Sequence, residues 1–227
     1  MNMTRKKGFV REYGEALLTA LLIAFFIRSF VIEAFKIPSG SMIPTLMVGD
    51  HIFVNKFVYG LRIPFTKTKI VTFGTPKRGE PIVFMYPMDE SKDFIKRVVG
   101  LPGDVVRVHG EEVIINGQPV THDPIADISS IPAFGGWQHF KYYSEDLGGT
   151  HHLVQFDDDR TGRENEEFTI TPDHLFVMGD NRDNSSDSRD WGLVPLENIK
   201  GRAMFVWLSI DFDRKTLRWD RFGKWIR

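Results

Sequence analysis

The feature that most constrains this 227-residue chain is one long apolar stretch near its start. Arg5, Lys6, Lys7 and Arg11 precede the uncharged run Ala16 to Ile27, and after Arg28 and Ser29 apolar character resumes at Phe30, Val31 and Ile32. Crossing a bilayer takes about 20 residues of helix. Tyr13 to Ile32 supplies that length, with Arg28 near one end, where its head can snorkel to the headgroup layer. Basic residues before the segment outnumber Arg28 and Lys36 around its far end, which puts residues 1–12 in the cytoplasm, an anchor at 13–32 and the body outside. A cleavable leader is the rival reading. Against it, the apolar core runs into Arg28 and bulky Phe30, Val31, Ile32 and Phe35, with no small-x-small site directly after it.

Just beyond this segment stands Pro38-Ser39-Gly40-Ser41-Met42-Ile43-Pro44-Thr45-Leu46. Two prolines and a glycine around closely spaced hydroxyls make a stiff turn that holds one side chain in a fixed pose, and Ser41 is the candidate nucleophile. A plain turn or linker is the alternative, so partners elsewhere must decide. Six residues separate Phe35 from Ser41, so even extended chain carries the serine only about 20 Å from the apolar stretch. Whatever Ser41 does, it does near the membrane.

The chain then turns β-rich. Asp50 to Tyr59, bounded by Gly49 and Gly60, mixes β-branched and aromatic residues with polar ones as strands do. Leu61 to Thr75 reads as an exposed loop or hairpin, and Pro81–Tyr86 and Phe94–Val99 as short buried strands closed by Pro87 and by Gly100-Leu101-Pro102-Gly103. In the second of these, alternation puts Lys96 with Phe94 and Val98, opposite Ile95, Arg97 and Val99. Either one cation sits on a buried face, or the strand is an edge with both heads in solvent.

Residues 105–170 read as an accessory β insertion between two parts of a core, 33–104 and 171–213. Val105–Val108, Glu112–Ile115, Asn116-Gly117 and Gln118–Val120 form a hairpin pattern with the preferred Asn-Gly turn. His109, His122, His139, His151, His152 and His174 are scattered, without donors at ligand spacing, so no metal site is expected. The chain has no cysteine, which excludes disulfides, thiolate metal sites and thiol nucleophiles. Its 29 Lys and Arg against 30 Asp and Glu call for no nucleic-acid partner.

Met178 to Arg189 is dense in short polar residues of the kind that bond their own backbone. A calcium loop fails on count: starting at Asp183, Ser188 stands where glycine is needed and Val194 where glutamate is needed. Asp187 and Arg189 suggest an ion pair that fixes the loop, although surface pairs contribute little. Gly201–Ser209 reads as a closing strand, and the basic, aromatic tail 214–227 either lies on a membrane interface or caps the core.

Taken together, Ser39–Leu46 after an anchor, Phe94–Asp104 and Gly179–Arg189 resemble, in that order, the boxes of bacterial type I signal peptidase, the leader peptidase. Arg78–Pro87 and Gly201-Arg202-Ala203 also resemble the family, and the likeness is weakest at about 120–165. The resemblance implies a mostly β fold: a transmembrane helix, then a catalytic domain of twisted antiparallel sheets with an inserted accessory β region. It implies an endopeptidase without cofactor in the bacterial inner (plasma) membrane, acting on secreted preproteins and in contact with the lipid bilayer.

By resemblance, Ser41 is the nucleophile and Lys96 the general base. An ordinary lysine needs about 4.6 kcal/mol to be neutral at pH 7, so such a base must be desolvated; Phe94, Ile95, Val98 and Val99 would exclude the water. Ser39 and the Ser41 N–H would receive the oxyanion, Ser185 would bond and orient the lysine head, and the Asp187–Arg189 pair would support that serine. Phe35, Ile37, Met42, Leu46, Ile52, Val83, Asp93 and Ile95 would line shallow pockets for small substrate residues. A self-cleaving repressor, a pilin-processing protease and a non-catalytic tethered binding module are the alternatives.

Overall fold

The computed structural model describes residues 9–63, 66–126, 140–158 and 163–227. Arg5, Lys6 and Lys7, on which the charge asymmetry rests, and His139 lie outside them. Helix α1 spans Phe9–Phe30, and its window Tyr13–Phe30 has mean hydropathy 1.5 with none of it buried against the rest of the chain. Leu17, Leu21, Phe25 and Phe26 are each more than half exposed. By length and composition this helix could cross a bilayer. The helix stops before Val31, and β-branched Ile32 already opens a strand.

The body is antiparallel. In chain order the strands are β1 (Ile32–Lys36), β2 (Asp50–Asn55), β3 (Leu61–Arg62), β4 (Lys69–Val71), β5 (Pro81–Tyr86), β6 (Asp89–Gly100), β7 (Val105–Gly110), β8 (Glu112–Ile115) and β9 (Gln118–Pro119). They continue as β10 (Thr121–Pro124), β11 (Phe140–Asp146), β12 (His151–Asp157), β13 (Arg163–Thr169), β14 (His174–Met178), β15 (Val194–Pro195), β16 (Ile199–Asp211) and β17 (Thr216–Leu217). The main sheet runs β1-β2-β16-β5-β6-β14-β15, with β17 added on β16. Most of the insertion forms two smaller sheets, β13-β7-β8-β9 and β10-β11-β12, while β3-β4 is a separate hairpin. The fold is thus the mostly β, antiparallel architecture that the sequence led us to expect.

Local chemistry explains several elements. Asn116 and Gly117 both take positive φ, 52° and 78°, as the two-residue turn between β8 and β9 requires. β2 alternates fully buried Ile52 and Val54 with half-exposed Phe53, the period of a strand buried on one face. Ile52, Val54, Val83, Ala203 and Val206 then close one apolar cluster. The tail caps the core, with Ile226 in that cluster and Arg221 buried, while Trp219, Phe222 and Trp225 face outward.

Topology positions the site. β14 pairs with β6 only from Arg97 to Gly100, so the segment entered through Gly179 begins beside Lys96, while among the described residues the backbone from Asp89 to Ile95 has no strand on that side.

Candidate active site

Ser41 follows β1 in a turn held by three groups. Asn181 donates its backbone N–H to the Ser41 carbonyl at 3.1 Å and its side-chain amide to the Gly40 carbonyl, also at 3.1 Å. Arg221 donates to the Thr45 carbonyl at 3.0 Å and forms a buried ion pair with Asp50, whose other carboxylate oxygen contacts include the Met47 N–H at 2.8 Å. Arg97 reaches the Thr45 hydroxyl at 3.3 Å. Each polar contact fixes backbone that cannot slide without leaving a buried group unpaired.

Lys96 lies on β6 and is 4% exposed, with its Nζ donating to Ser41 Oγ at 2.5 Å. The Phe94 ring centroid stands 5.7 Å from the same nitrogen. Burial pushes the amine down to about 8, against the carboxylates of Asp187 and Asp180, which pull it up, and with help from the Arg189 charge. Both heads of the Lys96-Arg97 dipeptide are buried, so the exposed-edge reading does not hold. Alternation sends Arg97 to the other face, where Asp180 accepts its Nε at 2.7 Å and its second nitrogen at 2.6 Å. Burial by itself would raise the Asp180 carboxyl, but Arg97 outweighs it and holds it below the ordinary value.

Asp187 and Arg189 pair within the loop, with both contacts at 2.8 Å. The pair expected to fix this loop is formed and is not a surface one: both residues are buried, and Asp187 also accepts the Gly179 N–H at 2.9 Å. Removing one partner of such a pair strands a buried charge, at a cost of about 3–5 kcal/mol. Ser185 is buried in the same place, close enough to Asp187 to favour its carboxylate, yet its hydroxyl completes no hydrogen bond of ordinary geometry. The expected bond from Ser185 to the lysine head is therefore not formed; Lys96 Nζ is turned to Ser41 instead.

The residues expected to meet substrate fall into two groups. Ile37, Met42, Leu46, Ile52 and Val83 are fully buried in one cluster, with half-buried Phe35 and Ile95 packed against it. Only the latter two offer surface. Asp93 stands apart, exposed and paired with Lys200 at 2.7 Å. Ser39 is also exposed. Among the described residues the Ser41 N–H has no hydrogen-bond acceptor.

Several groups escaped the sequence reading. Asp180 and Asn181 read as turn residues, although the adjacent Lys-Arg pair signalled that a cation could sit on a buried face, where it needs a partner such as Asp180. Glu145 gathers His122 at 2.5 Å, His152 at 3.1 Å and Arg182, tying the insertion to the segment that carries Asn181. Among the described residues no group of His, Asp and Glu has metal-ligand geometry.

A hydroxyl bonded to a buried amine, on a constrained turn of an antiparallel β body, is the arrangement of a serine hydrolase. Residues 10–208 match the family model described as Signal peptidase, peptidase S26. Signal peptidase I of Pseudomonas aeruginosa is 43% identical over 216 residues, covering 90% of this chain and 74% of that protein. Signal peptidase I of Pseudomonas fluorescens is 42% identical over 217 residues, with the same coverage of 90% and 74%. A crystal structure of a signal peptidase I from Enterococcus faecalis V583 overlaps 58% of this chain and 98% of that one at 25% identity with a TM-score of 0.36, too loose a superposition to add weight. The chain belongs to the signal peptidase family of serine endopeptidases, as its motifs led us to expect.

Proposed function

We propose that this chain is a membrane-anchored endopeptidase that removes amino-terminal signal peptides from secreted preproteins, with Ser41 as nucleophile and Lys96 as general base. The observation that carries the reading is the 2.5 Å hydrogen bond from a buried Lys96 amine to Ser41 Oγ. In the neutral form that amine takes the hydroxyl proton as Oγ attacks the scissile carbonyl. The Ser41 N–H and, after a rotamer change, the Ser39 hydroxyl receive the oxyanion, each such donor being worth roughly 3–4 kcal/mol. The Lys96 ammonium then protonates the leaving amine, which departs as the mature protein. Water, deprotonated by the same amine, hydrolyses the Ser41 ester and frees the signal peptide.

Substrate lies extended along the unpaired side of β6 before Lys96, with Phe35 and Ile95 forming the walls that select small side chains. Ser185, Asp187 and Arg189 shape the far side of the amine's enclosure. α1 anchors the chain in the bacterial inner membrane with the catalytic body on the outer face, which keeps Ser41 near the bilayer that holds the substrate's own apolar segment.

Incubation of the detergent-solubilised chain with a model preprotein tests this directly. The wild type yields one mature product with a single new amino terminus. Ser41→Ala and Lys96→Ala, folded by circular dichroism, lose processing by about 10⁴-fold or more. A folded variant that still processes refutes the assignment.

A further inference from the structure

A cleft of about 710 Å³ opens between the end of α1 and the β3-β4 hairpin, a size ordinary for a specific small-ligand site. Phe25 and Phe30 of α1 contribute apolar wall, and Arg28, Arg62 and Lys69 contribute positive charge. Its other cations are matched: Lys56 with Glu33, Lys67 with Glu90 and Glu197, and Lys200 with Asp93. The three first named are not. Arg62 donates to the carbonyls of Glu197 and Ile199, the latter at 2.9 Å, and Lys69 to the carbonyl of Leu196 at 3.2 Å. Among the described residues neither meets a carboxylate within ion-pair distance, and Arg28 has no partner at all.

Burial pulls the Arg62 guanidinium and the Lys69 ammonium below their ordinary values, and Arg62 repels Lys69 further. Such a cluster stabilises an anion that takes the missing place. Ile63, which lines the cleft, is exposed, as are Ile70 and Phe73 further along the same segment, and Phe57 packs against Phe73 with ring centroids 4.7 Å apart. A free anion gains nothing from that rim. An anion carrying acyl chains gains from both parts.

We propose that the cleft between α1 and the β3-β4 hairpin binds the phosphate diester of an anionic phospholipid, with Arg28, Arg62 and Lys69 as its cationic ligands. The site rests on the reading of α1 as a membrane anchor. Binding a headgroup there would fix the angle between anchor and body, and so the height of Ser41 above the bilayer.

The test uses the full chain in detergent micelles doped with phosphatidylglycerol or phosphatidylcholine, with retained lipid counted by native mass spectrometry. Wild type is expected to retain phosphatidylglycerol in preference to phosphatidylcholine. Arg62→Gln with Lys69→Gln lowers that affinity roughly thirty-fold for two lost charges. Ile63→Glu, which leaves every Arg62 and Lys69 hydrogen bond in place, lowers it about fivefold for one added negative charge. Neutralising Arg214 and Lys215 in the tail should change nothing; an equal loss there overturns the site in favour of diffuse charge. Equal retention of the two lipids, or wild-type retention by Ile63→Glu, overturns it also. Displacement of the lipid by millimolar inorganic phosphate assigns the cleft to free phosphate and sinks the lipid reading. Flotation with pure phosphatidylcholine vesicles separates the premises: a chain that does not float loses both anchor and cleft, whereas one that floats but retains no phosphatidylglycerol loses the cleft alone.

Discussion

Replacing Gly179 by alanine probes the site through its narrowest point. A Cβ built there would stand 2.3 Å from Ser185 Oγ and 2.4 Å from the Ser41 carbonyl oxygen. The hydroxyl can rotate aside, but the carbonyl is backbone and is held by the Asn181 N–H at 3.1 Å. Reaching ordinary contact distance means opening a gap of about 1 Å between the Gly179 segment and the Ser41 turn. That motion falls on the 2.5 Å bond between Lys96 and Ser41. A misplacement of about 1 Å at a reacting group costs roughly 10²-fold in rate, while overpacking costs about 1–3 kcal/mol of stability. Gly201→Ala supplies the control, because its Cβ would meet the Asn55 carbonyl oxygen at 2.4 Å and Val54 at 2.8 Å, away from Ser41. Both variants should melt earlier, and kcat per folded molecule on a preprotein substrate should fall about a hundredfold only in Gly179→Ala, with KM little changed. If Gly179→Ala melts like Gly201→Ala yet keeps kcat within about threefold of wild type, the geometric argument is wrong.

Lys96 carries two further expectations. With its amine pushed down to about 8, roughly one molecule in ten holds the neutral base at pH 7, against about one in 2,500 for an ordinary lysine. Single-turnover processing should therefore rise about tenfold per pH unit and level off above about 8; an acid limb centred near the ordinary lysine value would contradict the desolvation argument. Stability also rises with pH, but over a higher window. Below about 8 the amine is protonated in both folded and unfolded chains, and the fold bears the full cost of a buried cation, roughly 3 kcal/mol as an upper bound. From about 8 to 10.5 the folded state sheds its proton first, so that cost fades as pH rises. Lys96→Met should thus be inactive yet more stable than wild type in urea at pH 7, with the advantage vanishing near pH 10.5. No gain at pH 7 would mean that the amine is not buried as described.

Strands bounded by glycine and proline were legible in the sequence, because those residues act locally on φ and on hydrogen bonding. β5 ends before Pro87, and the Asn116-Gly117 turn sits where its two residues demand. β6 proved longer than its apolar run: Asp89 to Asp93 are polar on both faces, and their strand character comes from the backbone pairing with β5, which leaves no side-chain pattern. Ser41 and the Asp187–Arg189 pair were suggested by local turn chemistry and the role of Lys96 by motif resemblance, but the contact between Asp180 and Arg97 spans 83 positions and belongs to sheet order. Glu145 was hidden for a related reason. Its segment looks like polar loop, yet inside the protein Glu145 gathers His122, His152 and Arg182 into one ion-pair cluster. Composition reports polarity without reporting who pairs with whom.

Lys96 and Arg97 show how one strand gives two neighbouring cations opposite fates. Alternation sends them to opposite faces, so each meets its own surroundings. At 0% exposure the Arg97 guanidinium demands a partner, and Asp180 supplies a fork-shaped contact through both carboxylate oxygens. Among the described residues Lys96 meets no carboxylate at hydrogen-bond distance. Its nearest polar contact is a neutral hydroxyl, and Asp187, which could have claimed it, is committed to Arg189 and to the Gly179 N–H. Were Asp187 free, its charge would pull the amine back towards the protonated form, the direction in which it already acts. The buried Asp187–Arg189 pair therefore does more than brace a loop: with Asp187 bound to Arg189 and Asp180 bound to Arg97, desolvation is left as the dominant influence on Lys96, which is what the proposed role of this amine as a base at neutral pH requires.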